Sequence, residues 1–194
     1  LFRSVLGSST VKRWAYATSK IYGEHLIRAY HDEFGLDFSI TRFFGSYGAG
    51  QNLSWWGGPQ SVFIEKALKK ETIEIHGTGL QTRTFTYIKD TVEALQNLVL
   101  DPKSNGEIYN IAGDPKGETT ILNLANLIWR LVNGENSEPK LNLIPYETFG
   151  KYEDVMRRVP NIDKITSQFD YEPQYDLETG LIETIQWQKT VMGL

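Results

Sequence analysis

The chain has 194 residues, a formal net charge of −4 and a pI near 5.5, so charge gives no reason to expect nucleic acid or an anionic membrane as a partner. Its 40% hydrophobic and 12% aromatic residues are enough for a core, which argues against disorder. Without cysteine there is no disulfide, thiolate nucleophile or cysteine metal ligand, which is compatible with a cytoplasmic location; no His-Glu-x-x-His motif exists, and we predict no metal site.

Helices and strands are predicted to alternate along the chain. The spacing of apolar residues and the positions of glycine, proline and threonine give the boundaries. In chain order the pattern predicts a helix over 15–33, a strand over 36–44, a loop over 45–51, a helix over 59–70, strands over 72–77 and 83–88, a helix over 89–101, a strand over 107–113, and helices over 119–134 and 177–192. Such alternation is typical of an α/β fold.

The first helix carries one tyrosine and one lysine four residues apart, Tyr16 and Lys20. Residues i and i+4 share a helix face, with their Cβ atoms about 5–6 Å apart. Tyrosine has an ordinary pKa near 10, so it acts as a base near neutral pH only when a neighbouring cation favours the phenolate. The spacing suits a catalytic pair, but by itself it is equally compatible with two ordinary helix residues.

The surrounding blocks resemble the extended short-chain dehydrogenases, in particular the NAD-dependent nucleotide-sugar epimerases, dehydratases and decarboxylases. The blocks, which fall in the family's order, are "YATSK", "RFFGSYG", "GTGLQTRTFTYIKD", "EIYNIAG" and "MRRVPNID". The resemblance implies the C-terminal part of a Rossmann-like doubly wound parallel sheet plus a smaller α/β substrate-binding domain. It divides the chain into dinucleotide-binding residues 1–52, a substrate-binding segment 53–82, a return to the Rossmann sheet over 83–113, and a substrate-binding domain over 114–194.

The resemblance also implies a reaction. Tyr16 takes a proton from a sugar hydroxyl, usually at C4, while NAD accepts the hydride; Lys20 holds the nicotinamide ribose and lowers the tyrosine pKa, and Phe44 lies on the nicotinamide side of the cofactor. The predicted activity is nucleotide-sugar 4-epimerisation, with UDP-glucuronate decarboxylation or dehydration as alternatives. A non-enzymatic sugar-nucleotide or dinucleotide sensor is the rival of another class. Relatives often dimerise through this helix, so a homodimer is expected.

Two arginines and one histidine are candidates for binding the nucleotide. By the resemblance, Arg83 and Arg158 clamp the diphosphate, a role that suits the two-pronged guanidinium group, although a surface salt bridge is the common alternative. Arg157 is adjacent to Arg158, so the choice between them depends on register. His76 is placed beside the nucleotide base, or alternatively in a solvent-exposed turn. Trp55 and Trp56 fall in the substrate region with no assigned role.

The chain departs from the family pattern in two places. The glycine-rich phosphate-binding fingerprint is absent, so we expect a C-terminal portion of a longer enzyme that binds NAD poorly by itself and is inactive alone. Relatives usually carry asparagine after the "RFF" strand, where this chain has Gly45. This substitution removes a substrate contact and leaves the sugar and the net reaction open.

Overall fold

Helices and short strands alternate through residues 7–150 and 153–194, the part of the chain that the computed structural model describes. The α-helices are α1 (Arg13–Phe34), α2 (Pro59–Leu68), α3 (Ile88–Leu100), α4 (Ile121–Asn133), α5 (Asp163–Phe169) and α6 (Leu177–Val191). The strands are β1 (Ser39–Phe43), β2 (Ser46–Tyr47), β3 (Ile73–His76), β4 (Thr82–Arg83), β5 (Thr86–Tyr87), β6 (Glu107–Ile111), β7 (Thr119–Thr120), β8 (Leu141–Ile144) and β9 (Arg157–Arg158). The predicted α/β class is confirmed.

Strand pairing is mostly parallel. Strand β1 runs parallel to β6, from Ser39 opposite Glu107 to Phe43 opposite Ile111. Strands β2 and β5 form a second parallel pair, and β3 and β8 a third. Strand β4 pairs with β9 in parallel and with β7 in antiparallel orientation. Parallel pairs need crossover connections, and here helices supply them, as in the Rossmann-like architecture that the resemblance implies.

The single strand predicted over 83–88 is wrong, because the segment is split between two sheets. Strand β4 ends at Arg83, strand β5 begins at Thr86, and α3 follows at once from Ile88. The intervening residues pass between two glycines: a Cβ on Gly45 would lie 2.5 Å from the carbonyl oxygen of Thr84, and one on Gly113 would lie 2.5 Å from that of Phe85. This close approach of three backbone segments depends on residues distant in sequence, which local patterns do not report.

Two groups of buried side chains form the core. The larger group lies among α2, α4, α6, β3 and the β2–β5 pair, and the smaller lies among α3, β6 and α5. The larger includes Phe63, Ile64, Ile73, Ile75, Leu124, Ile128, Trp129 and Leu181, and the smaller includes Ala94, Leu98, Tyr109, Ile111, Ile165 and Tyr171. Sequence patterns missed β8, β9 and α5. They also assigned β2 to a loop and β7 to the start of a helix. The division of the chain at residues 52, 82 and 113 stays a prediction.

Helix α4 follows from its sequence. Apolar residues at helical spacing bury one face, the Thr120 side chain caps the start by accepting a hydrogen bond from the N–H of Asn123 (3.0 Å), and Gly134 ends the helix. Helix α1 differs, because none of its residues is buried among the described residues. It is held to β1 by Arg42, which donates two hydrogen bonds to the carboxylate of Glu24 at 2.7 and 2.6 Å. No helix in the described ranges is long and apolar enough to cross a membrane.

Candidate active site

One cavity of about 500 Å³ brings together residues from both ends of the chain. Four residues that the sequence placed in the site line it: Tyr16, His76, Arg83 and Arg158. They come from the start of α1, the end of β3, the end of β4 and β9 respectively. Residues separated by more than 140 positions therefore line the same cavity.

Tyr16 and Lys20 lie on one face of α1, as their spacing predicts. The Tyr16 side chain is 72% exposed and forms part of the cavity wall. The Lys20 ammonium lies 5.3 Å from the centre of the Tyr16 ring. The ammonium therefore lies over the ring of an accessible phenol. Lys20 itself is exposed and is not part of the cavity wall.

Two guanidinium groups converge on one carboxylate in the cavity. The Nη2 atoms of Arg13 and Arg83 lie 3.1 and 3.2 Å from the same Oδ1 atom of Asp154, and Arg83 also donates to the carbonyl oxygen of Thr82 at 2.7 Å. The hydroxyl of Tyr146 donates to the other oxygen of Asp154. Arg83 is only 6% exposed, so its charge is held in a partly dehydrated site, where electrostatic interactions are stronger than in water.

Sequence patterns did not identify Arg13 or Asp154. Arg13 stands three positions before Tyr16 on the same helix, and this i, i+3 spacing was the available signal. Asp154 lies in the connection between β8 and β9 and has no local signal, because only the tertiary fold brings it to Arg13 and Arg83.

The structure places the two adjacent arginines of β9 in different surroundings. Arg157 is bound to the carboxylate of Glu118, its Nε and Nη2 atoms donating at 2.9 and 2.8 Å. Arg158 instead lines the cavity. Desolvation, followed by the positive charges of Arg83 and Arg13, lowers the pKa of Arg158 from its usual value. A bound anion would relieve this repulsion among like charges.

His76 does not sit in an open turn. Its ring packs against Phe149, with ring centres 4.4 Å apart and planes inclined at 41°. The Tyr146 ring covers the neighbouring Gly77, where a Cβ would lie 2.4 Å from ring atoms. The short helical turn Tyr146–Phe149 thus covers the end of β3, and it forms an aromatic surface beside the cavity.

The two phenylalanines after Arg42 face different surroundings. Phe43, 51% exposed, lines the cavity, whereas Phe44 packs against the smaller core group and is absent from the cavity wall. Trp56 also lines the cavity and is 89% exposed. The side chain of Trp55 lies outside the described part of the structure. Gly45 occupies the wall where the family pattern expects asparagine, and its close contact with Thr84 explains why no side chain is accommodated there.

A comparison with family models gives one assignment that covers more than half of the chain. The model described as "NAD dependent epimerase/dehydratase family" matches residues 4–112. A UDP-N-acetyl-alpha-D-glucosaminuronate decarboxylase of Bacillus cytotoxicus is 34% identical over 187 residues, which cover 95% of this chain and 56% of that protein.

Two solved structures extend the comparison to three dimensions. UDP-glucose 4-epimerase of Thermotoga maritima, solved with UDP-glucose, superposes with a TM-score of 0.79 at 25% identity. The match covers 91% of this chain and 54% of the epimerase chain. UDP-glucuronic acid 4-epimerase of Bacillus cereus, solved with NAD, gives a TM-score of 0.76 at 25% identity. This match covers 92% of this chain and 52% of the epimerase chain. The chain therefore spans about half the length of the proteins it matches.

Proposed function

The chain belongs to the NAD dependent epimerase/dehydratase family, and from this premise we propose that the complete protein oxidises a nucleotide-sugar at C4 with Tyr16 as the general base. The observation that carries the proposal is the meeting of Tyr16 with Arg83 and Arg158 in one cavity. An accessible phenol suits proton transfer, and two guanidiniums suit a diphosphate. Binding of the diphosphate would hold the sugar against Tyr16 in the orientation that proton transfer requires.

In the proposed mechanism Tyr16 accepts the proton of the C4 hydroxyl, and the ammonium of Lys20 stabilises the phenolate form that accepts it. NAD, when bound, would supply the hydride chemistry at C4. The residues of this chain that fit the cofactor are Tyr16 and Lys20, because an exposed ammonium with three donors suits ribose hydroxyls. Tyr16 returns its proton when the carbonyl is reduced again. The base of the nucleotide would lie beside the packed rings of His76 and Phe149.

The net reaction that we favour is decarboxylation of a UDP-hexuronic acid. Arg13 lies one helical turn before Tyr16 and lines the same cavity. In a hexuronic acid the carboxylate is attached to C5, next to the C4 that Tyr16 serves. Arg13 is paired with Asp154 at 3.1 Å in the ligand-free chain, so binding of this carboxylate requires Arg13 to exchange Asp154 for it. Once C4 is a ketone, the C5–C6 bond breaks, carbon dioxide leaves, and the electron pair passes to C5 and is delocalised into the carbonyl. A proton from solvent then adds at C5, and reduction of the C4 ketone gives the pentose. The similarity to a decarboxylase over 95% of the chain supports this choice.

A second candidate is the 4-epimerisation that the motifs favour, supported by the match to two 4-epimerase structures. It shares the first step, after which the ketone is reduced on its other face. The products separate the two: a UDP-pentose and carbon dioxide from decarboxylation, and the C4 epimer of the substrate from epimerisation. Homodimerisation through α1 stays a prediction, supported by the exposure of Tyr22, Leu26 and Tyr30 on that helix.

The test uses the complete protein with NAD, UDP-glucuronic acid and UDP-glucose, and follows products by NMR. Tyr16→Phe removes only the phenolic hydroxyl and is expected to lower kcat about 10²–10⁴-fold, the usual contribution of a general base. Tyr22→Phe on the same helix is the matched control, because Tyr22 is 66% exposed and does not line the cavity. Full turnover by Tyr16→Phe would refute the assignment, and the absence of product or reduced NAD from the unmodified protein would favour the sensor.

A further inference from the structure

Gln60 is a buried amide whose oxygen has no hydrogen-bond partner among the described residues. It is the second residue of α2 and is 2% exposed, and its Oε1 atom is shielded from solvent. Such a group loses its hydrogen bonds to water without replacement, which costs folding free energy. Because the buried amide of Gln60 lowers the stability of the ligand-free chain, packing alone does not explain this residue.

The other buried glutamines are held by the fold. Gln188 donates to the carbonyl oxygen of Ser61 at 2.8 Å and accepts from Gln51 at 3.3 Å. Gln81 donates to the carbonyl oxygen of His76 at 3.0 Å. Each of these two side chains thus donates to a backbone carbonyl oxygen. Gln60 differs from Gln188, whose amide oxygen accepts a hydrogen bond, because its own oxygen has no partner among the described residues.

Gln60 also belongs to the wall of the candidate active site. It lines the cavity together with Gly57, Gly58 and Pro59. Its Oε1 lies 2.8 Å from the position that a Cβ on Gly58 would take, so the amide rests in the space that the missing side chain leaves. The terminal torsion of a glutamine is soft. Rotation about it reorients the amide without moving the helix.

We propose that Gln60 is a specificity-determining residue whose amide oxygen accepts a hydrogen bond from an O–H or N–H group of the nucleotide-sugar. The inference rests on the proposed function. The diphosphate is not the partner, because ionised phosphate oxygens only accept hydrogen bonds. The donor belongs either to the nucleoside, through a base N–H or ribose hydroxyl, or to the sugar, through a ring hydroxyl.

The experiment compares Gln60→Met with Gln188→Met in the complete protein, both in a Tyr16→Phe background that slows turnover. Methionine keeps the unbranched shape and approximate volume of glutamine but has no amide. Calorimetric titrations with UDP and with UDP-glucuronic acid give Kd, and thermal unfolding without ligand gives Tm. Gln60→Met is expected to raise Kd about 3- to 10-fold, the effect of one neutral hydrogen bond, while Tm stays the same or rises. Gln188→Met is expected to lower Tm and leave Kd unchanged.

The two ligands locate the donor. A weaker Kd for both places it on the nucleoside, and a weaker Kd for UDP-glucuronic acid alone places it on the sugar. An unchanged Kd for both ligands overturns the inference, as does a lower Tm with no change in binding, which is the result of a structural role. If the parent protein binds neither UDP nor UDP-glucuronic acid, the proposed function fails, and the inference fails with it.

Discussion

Gly45 is expected to be intolerant of any side chain, for two separable reasons. Its φ of +61° lies in the left-handed region, and a Cβ there would lie 2.5 Å from the carbonyl oxygen of Thr84. The residue joins β1 to β2 at the cavity wall, and its own carbonyl oxygen accepts a hydrogen bond from the N–H of Thr86 at 3.1 Å. The test substitution is Gly45→Ala, because alanine adds only the Cβ.

The expected loss of stability is the sum of a conformational term and a steric term. A left-handed conformation costs a residue with a Cβ about 1–2 kcal/mol, of which about 0.4–1 kcal/mol is offset by the smaller freedom of alanine in the unfolded chain. Overlap with backbone in a packed region adds about 1–3 kcal/mol. Gly45→Ala is therefore expected to lower the free energy of unfolding by about 2–4 kcal/mol.

Gly50 provides the matched control in the same loop. Its φ is +86°, but a Cβ there would meet no atom within 4 Å, so Gly50→Ala carries only the conformational term, about 1 kcal/mol. Urea unfolding of the complete protein, followed by tryptophan fluorescence and far-UV circular dichroism, gives both values. Equal losses for the two variants would refute the close contact between Gly45 and Thr84.

Two further predictions concern charged residues. Arg158→Ala is expected to raise the Kd of UDP by at least about 10-fold, because a charge-assisted hydrogen bond to phosphate is lost. Arg157→Ala removes only the ion pair with Glu118 and is expected to leave the Kd nearly unchanged. Titration calorimetry measures both values, and equal effects would contradict the placement of Arg158 in the cavity wall. The hydrogen bonds from Arg42 lower the pKa of Glu24 below its ordinary 4.5, so their contribution to stability is present above pH 4.5 and is lost as the pH falls through the folded-state pKa. Relative to Glu24→Gln, the protein should be more stable by about 1 kcal/mol at pH 7, and this difference should disappear in acid; a difference independent of pH would exclude the ion pair as its source.

The sequence by itself determined the fold class and most of its helices. Apolar spacing, threonine and glycine caps and proline positions act within one or two helical turns, so α1, α2, α3, α4 and α6 were predicted to within two or three residues at each end. The pairing of Tyr16 with Lys20 is equally local, since helix geometry alone puts residues i and i+4 on one face. The order of the motif blocks identified the family, which a single motif does not specify.

Only the tertiary structure decided which residues share the cavity. Arg157 and Arg158 are neighbours with the same chemistry, and the pairing of β9 with β4 is what turns one toward Glu118 and the other toward Arg83. Asp154 reaches Arg13 across 141 positions, and the missing partner of Gln60 is visible only once every neighbour is in place. Contacts of this range depend on how the elements pack, and no local pattern encodes them because their free energy arises only when distant segments come together.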